Sequence, residues 1–232
     1  MTLFDIYKLI EFIVNKDYSG NTITPEDFKM LIKFVNIDMF RRKYGLPEEY
    51  QPGRPIPVEF ANITLKNTDD IKSFKKELLG VSVINGILSY PADYAHRESI
   101  IYNWSKSING VPTILPRPVE ILQDEHAAER RGNWTKKPSL QYPIGVIRSN
   151  GIHIYPETIS SVDFSYYRWP IEPVFDYVEY DGYITYNPAT STELEWPIDE
   201  HFNICRRCLE LIGVNLREQD VIQYARTKLK EG

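Results

Sequence analysis

The segment HFNICRRC, residues 201 to 208, sets His201, Cys205 and Cys208 four and three residues apart. On a helix that spacing brings the three to one face, where they would make part of the nitrogen and sulfur set of a structural zinc site. No fourth ligand stands nearby, so the preferred reading is of two buried thiols acting as small apolar residues, and no metal is expected. Redox chemistry fits less well still. A catalytic CxxC opens a helix, where the dipole lowers the thiol pKa, whereas Cys205 and Cys208 fall inside one. The second candidate is STELEWP, residues 191 to 197. Glu193 and Glu195 lie on the same side of an extended segment, about 7 Å apart by the strand repeat, a separation that suits two glycosidase carboxylates flanking a water. Both also stand just before an expected helix start, where acids are stabilised without any catalytic role.

The remaining histidines, His96, His126 and His153, are scattered, and no Ser or Cys stands in a nucleophile elbow. HExxH, Walker A and GxGxxG motifs are missing, and DYVEYDG has too few correctly spaced acids for a calcium loop. No catalytic residue and no cofactor is expected. The basic runs Arg41-Arg42-Lys43, Arg130-Arg131, Lys136-Lys137 and Arg206-Arg207 offer contacts to phosphate or acidic surfaces, but solvated helix faces carry such pairs as a rule. The tyrosines between 155 and 186 read equally well as cross-strand core pairs or as an interface, the latter favoured by Arg168 and Trp169, residue types that anchor protein contacts.

The elements that must position these residues are legible from periodicity. Leu3, Ile6, Ile10, Ile13 and Val14 predict an amphipathic helix over 3–16. Thr24 as N-cap, Pro25 in the first turn and the stripe Phe28, Leu31, Ile32, Val35 and Met39 predict a second, ending near Gly45 and pairing with the first as a hairpin. Pro47, Pro52, Pro55 and Pro57 force an extended arm over 46–60. A short helix is expected from Thr68 to Gly80, burying Ile71, Phe74 and Leu78. From residue 81 the period changes to two. Asn85-Gly86 and Asn150-Gly151 mark hairpins, SVDFSYYRW a further strand, and DEHAAERR a helical excursion. Pro197 with Asp199 and Glu200 opens a helix that buries Ile198, Phe202, Cys205 and Leu209, and a last helix is expected from Asn215 to about Lys230. The sum is an α+β chain: a helical region with its proline arm over 1–80, a central antiparallel sheet or sandwich over 81–190, and a pair of C-terminal helices over 191–232.

Composition narrows the function classes. The 42% hydrophobic and 25% charged fractions over 232 residues are those of a chain with an ordinary core. The formal net charge of −5 speaks against a protein that coats nucleic acid, since that affinity comes from Lys and Arg neutralising phosphates. No apolar run approaches membrane-spanning length, and the N-terminus has neither a basic start nor a small-residue cleavage site. Two cysteines without an export signal predict a reducing compartment, in which the sequons at Asn62, Asn103 and Asn133 stay unmodified. The 13% aromatic content, sixteen of those rings Tyr, suits strands and contact surfaces.

The order of several segments resembles virion structural proteins of tailed phages infecting Bacteroidota, crAss-like phages among them. Those segments are the opening IYKLIEFIVNKDYSGNTITPEDFKMLI, the element YPADYAH at 90–96, ERRGNWTKKPSLQYPIG at 129–145, then IHIYP, VDFSYYRWP and the closing STELEWPIDEHF. Together they span nearly the whole chain. The resemblance implies a ring protein of the tail or head-to-tail connector, assembled in the host cytoplasm and found in the virion, with no catalytic residues and no cofactor. It implies partners too: further copies of the chain in a closed, commonly twelve-fold ring, the portal protein and adjacent tail proteins, with DNA only as passing cargo and no membrane. An acidic balance suits a lumen through which DNA slides without sticking. A closed ring needs a heterologous interface, for which the arm residues Pro52, Arg54, Pro55 and Pro57 and the strand-end residues Tyr167, Arg168 and Trp169 are the candidate contacts. Two other readings stand beside it: a fibre adaptor or glycan-binding β module that uses Tyr and Trp as stacking platforms, and a hydrolase built on Glu193 and Glu195.

Overall fold

The computed structural model describes residues 1–16, 23–44, 69–108, 110–180 and 183–212, and shows an α+β fold. It divides into two compact units, one made of Met1–Ser73 with Pro170–Gly232, the other of Phe74–Trp169. The boundaries differ from those expected at 80/81 and 190/191. The tyrosine-rich segment after residue 170 belongs with the helices because Phe175 is buried against Tyr7 and Phe28 and Tyr186 stacks on Phe4.

In the helical unit, α1 (Leu3–Lys16) and α2 (Pro25–Tyr44) open with the same device. Thr2 Oγ1 accepts the Asp5 N–H while Asp5 returns a carboxylate oxygen to the Thr2 N–H at 2.8 Å, and Thr24 with Asp27 repeats the exchange. Two orphan donors are satisfied at each helix start, by the capping-box logic with Asp in place of Glu. Leu3, Ile6, Tyr7, Ile10 and Val14 are buried from α1, and Phe28, Ile32, Val35, Asn36, Met39 and Phe40 from α2. Both helices pack against α4 (Ile198–Ile212), and they meet each other through Tyr7 and Phe28, whose centroids are 5.3 Å apart. Phe175 completes that cluster at 5.4 and 5.2 Å from the two rings. It also stacks on Tyr186 of a two-stranded ribbon, β9 (Tyr177–Tyr180) with β10 (Tyr183–Tyr186).

Buried polar groups in this unit are paired across elements. Asn36 donates Nδ2 to the Ile171 carbonyl at 3.0 Å and accepts the Trp196 indole N–H at 2.7 Å. Lys43 bridges Asp70 and Glu200 at 2.8 and 2.9 Å, and Arg207 joins Asp38 to Glu210. Burial works against the Lys43 charge, but the hydrogen bonds it donates to Asp70 and Glu200 hold its pKa above the ordinary lysine value.

The other unit is two four-stranded sheets facing one another over a common core. The first, in the order β1-β8-β3-β4, is antiparallel throughout: β1 (Lys75–Ser82), β8 (Ser161–Arg168), β3 (Tyr94–Ile108) and β4 (Val111–Pro118). The second runs β2-β7-β6-β5, with β2 (Ile87–Leu88), β7 (Gly151–Tyr155), β6 (Ile144–Arg148) and, parallel to β6, β5 (Glu120–Leu122). Strict alternation along β8 turns Val162, Phe164 and Tyr166 inward to meet Ile100, Leu88, Ile152 and Ile154. On the outer face of the second sheet, α3 (Asp124–Gly132) places Ala127 against Ile144 and Val146, the helical excursion that the sequence predicts.

The turn signals hold. Asn85 and Gly86 take φ values of 51° and 75°, the pair of positive angles that a type I′ turn requires. In the β6–β7 hairpin the loop is Ser149 and Asn150, and Gly151 at φ 145° already pairs with Arg148. Two elements depart from expectation. In α4 Ile198 and Phe202, expected in the buried stripe, are exposed, and His201, Ile204 and Cys208 are buried beside Cys205. Of the short helix predicted to Gly80, Lys72–Phe74 form a single 3₁₀ turn, and from Lys75 the chain is strand β1. Ile71 and Phe74 are buried as expected, but Leu78 is more than a third exposed, because pairing with β8 from Lys75↔Tyr167 onward outweighs local helical spacing. Gly80, at φ 64°, sits in the bulge of that pairing and donates its N–H to Asp163. The proline arm, the cap at Thr68, the stops at Gly45 and Gly213 and the last helix after Asn215 lie outside the described residues.

Candidate functional site

The zinc and redox candidates resolve into core. His201, Cys205 and Cys208 are all buried on α4. Burial pushes the Cys205 thiol up to about 11 and Cys208 up to about 12, so both are neutral thiols near pH 7, where disulfide exchange needs a thiolate. His201 Nε2 lies 3.1 Å from the Trp196 carbonyl oxygen and donates to it, which fixes the ring in the turn before the helix. Among the described residues no cluster of three or more His, Cys, Asp or Glu is placed to hold a metal ion.

The two glutamates are also spent on the fold. Glu193 accepts the Leu3 N–H at 2.7 Å, satisfying an orphan donor at the start of α1, and accepts a hydrogen bond from the Tyr186 hydroxyl at 2.5 Å. Glu195 accepts the Ile171 N–H at 2.8 Å. Each carboxylate thus holds a different stretch of backbone. The three scattered histidines have separate surroundings: His96 beside the Trp169 ring, His126 3.8 Å from Glu129 on α3, and His153 hydrogen-bonded to Asn150.

Of the strand-end contacts, Tyr167 is a correction. It is 5% exposed, so its side chain belongs to the core. Arg168 lies over the Phe74 ring at 5.8 Å and donates to the Trp169 carbonyl, while Trp169 keeps over a third of its surface in water. Pro52, Arg54, Pro55 and Pro57 lie outside the described residues.

Among the described residues, two of the places where exposed rings gather are the loop after α3 and the β9–β10 ribbon, one on each unit. On the sheet unit the loop after α3 is organised by Asn133, whose Oδ1 accepts the N–H groups of Thr135 and Lys136. That turn holds Trp134 97% exposed. Beside it runs an open groove of about 920 Å³, lined among others by His126, Arg130, Lys136, Lys137 and Tyr142. Arg130 is paired with Glu120, and Arg131 lies 4.2 Å over the Tyr155 ring. On the helical unit the ribbon docks one face, with Tyr177 donating to Glu26 and Tyr186 stacked on Phe4. Its other face presents Val178, Tyr180 and Tyr183, the two tyrosines directly opposed across the strands and 80% and 76% exposed. The sequence reading passed over Trp134, although a lone Trp between Gly-Asn and Thr-Lys-Lys has no alternating apolar partner to pull it inward.

No protein-family model and no curated protein matches this chain. No helix among the described residues is long and apolar enough to cross a membrane.

Proposed function

We propose that the chain is a non-enzymatic virion structural protein that forms an oligomeric ring in the tail or head-to-tail connector, joining portal and tail components around the DNA channel. One observation carries the reading: the groups equipped for chemistry are committed to holding the fold, whereas a subset of large rings, Trp134, Tyr180 and Tyr183, is left at the surface. Glu193, Glu195, His201 and the two thiols each serve a helix start, a turn or a core. Trp134, Tyr180 and Tyr183 stand in water, where exposed rings mark contact surfaces. The resemblance to phage virion proteins supplies the kind of assembly. Twelve copies around a channel, the portal as neighbour and location in the virion all belong to this proposal.

Light scattering over a concentration series, with negative-stain images of the largest species, tests it. Closed rings, or rings that form on addition of the portal, support it. A chain that neither self-associates nor joins a portal overturns it. The fibre-adaptor or glycan-binding reading gains from Trp134, because an exposed ring beside a groove is also how sugars are stacked. Saturable binding of oligosaccharides by a monomer, lost in Trp134→Ala, would favour it.

A further inference from the structure

Two hollows on the sheet unit join into one open course. The groove of about 920 Å³ beside Trp134 shares Glu120 and Tyr142 with a second hollow of about 450 Å³, which runs past Pro143 to Arg117 near the end of β4. An open course of that size suits a chain of linked units better than a single small molecule. Its charges are uneven. Glu120 is spent on Arg130, and Glu129 has His126 3.8 Å away. Among the described residues no carboxylate lies within ion-pair reach of Lys136, Lys137 or Arg117. Arg117 rests over the Trp104 ring at 5.6 Å, its Nε buried without an acceptor. The course therefore carries unspent positive charge on a chain whose net charge is −5.

Trp134 stands at the rim. Asn133 and Thr135 on either side of it line the groove, and the N–H bonds from Thr135 and Lys136 to Asn133 fix the turn, so the ring is held in place before any ligand arrives. Tyr142, 60% exposed, is a second ring, and the Thr135 hydroxyl and Gln141 amide add neutral hydrogen-bonding groups. Rings, cations and neutral polar groups along one course select a ligand with apolar ring faces, hydroxyls and negative charge. Sugar acids combine all three. A nucleic-acid strand fits less well, because Glu120 and Glu129 would face its continuous phosphates, and an acidic peptide has no ring face to lay on Trp134. We propose that this groove binds an oligosaccharide whose sugars carry carboxylates, with one sugar stacked on Trp134 and the carboxylates paired with Lys136, Lys137 and Arg117. The site rests on the glycan-binding reading and specifies its ligand, and it can operate in a monomer or in a ring.

Calorimetric and tryptophan-fluorescence titrations of the full chain test this, with a galacturonate hexamer and a hyaluronan hexasaccharide as acidic probes and the methyl ester of the first as its uncharged counterpart. At least one acidic probe should bind with a dissociation constant on the order of 10–100 µM, and more weakly as salt rises from about 50 to about 500 mM. The ester should bind at least about tenfold more weakly than the acid. Trp134→Ala, and a chain carrying both Lys136→Glu and Lys137→Glu, should each lose at least about tenfold in affinity. Tyr180→Ala, an equally exposed ring on the other unit, should leave binding unchanged. These side chains are all exposed, and far-UV circular dichroism checks that the variants fold. Absence of binding by both acids at about 10 mM, wild-type affinity in Trp134→Ala or in the lysine variant, or an equal loss in Tyr180→Ala would each overturn the proposal. An ester that binds as tightly as its acid would overturn it and leave the glycan-binding reading standing, whereas failure of acids and ester alike would remove both. Hexaglutamate or oligo-dT binding more tightly than either acid, with the same loss in Trp134→Ala, would overturn it in favour of an acidic peptide or a DNA strand.

Discussion

Removing the Asn36 side chain should reveal how the helical unit is held together. Asn36 is 2% exposed and Trp196 4%, and the amide links the indole N–H to the Ile171 carbonyl, tying α2 to two later stretches of chain. Asn36→Leu keeps the volume but strands a buried donor and a buried acceptor. Each forfeits a hydrogen bond worth about 1 kcal/mol net, and the stranded groups keep their desolvation cost, so the loss is about 3 kcal/mol. Trp196→Phe strands only the Asn36 oxygen and should cost about 2–3 kcal/mol, including the lost ring volume. The double variant removes donor and acceptor of the short bond together, so its cost should fall below the sum of the singles by about 1–2 kcal/mol. Urea unfolding followed by far-UV circular dichroism measures this. With a slope of about 1.5 kcal/mol/M, Asn36→Leu moves the midpoint by about 2 M. A shift below about 0.3 M, or strict additivity in the double variant, would refute the view that this amide is a buried and fully satisfied bridge.

Three further outcomes are expected. Gly151→Ala should cost about 3 kcal/mol in the sheet unit, measured by denaturant unfolding. Its φ of 145° is unfavourable for a side chain, and the new Cβ would sit 2.5 Å from the Leu88 carbonyl oxygen, which strand pairing holds in place. Cys205 and Cys208 should resist a thiol reagent at pH 8 in the folded chain and react fully in denaturant. Because burial raises both folded values above the ordinary thiol, the stability gained from keeping them neutral is complete below about pH 9 and is lost as pH climbs toward 11 and 12, so alkaline unfolding should shift upward in a Cys205→Ala, Cys208→Ala chain relative to its neutral-pH stability. Tyr167→Ala should cost about 3–5 kcal/mol, whereas Trp134→Ala should change stability by less than about 0.5 kcal/mol and be felt only in association or ligand binding.

Where a residue's fate depends on its near neighbours in the chain, the sequence could be read. The caps and stripes of α1 and α2, the type I′ turn at Asn85-Gly86, the helix at 124–132 and the inert placement of Cys205 and Cys208 all follow from spacings of two to four residues. The α+β class follows from where the period changes. Tertiary structure decided what depends on distant partners. Residues 75–80 carry a helical pattern and form a strand because β8 supplies a hydrogen-bonding edge, and Tyr167 is core although Arg168 and Trp169 beside it look like contacts. Glu193 and Glu195 look like a catalytic pair along the chain. They are separated in role by backbone donors at Leu3 and Ile171, and Leu3 is 190 residues away from Glu193. The surfaces went unread for the same reason. A helix shows its apolar residues in sequence, but which of them are buried is settled by what packs on it: in α2 Phe28, Ile32, Val35 and Met39 are buried while Met30, Phe34 and Ile37 are exposed.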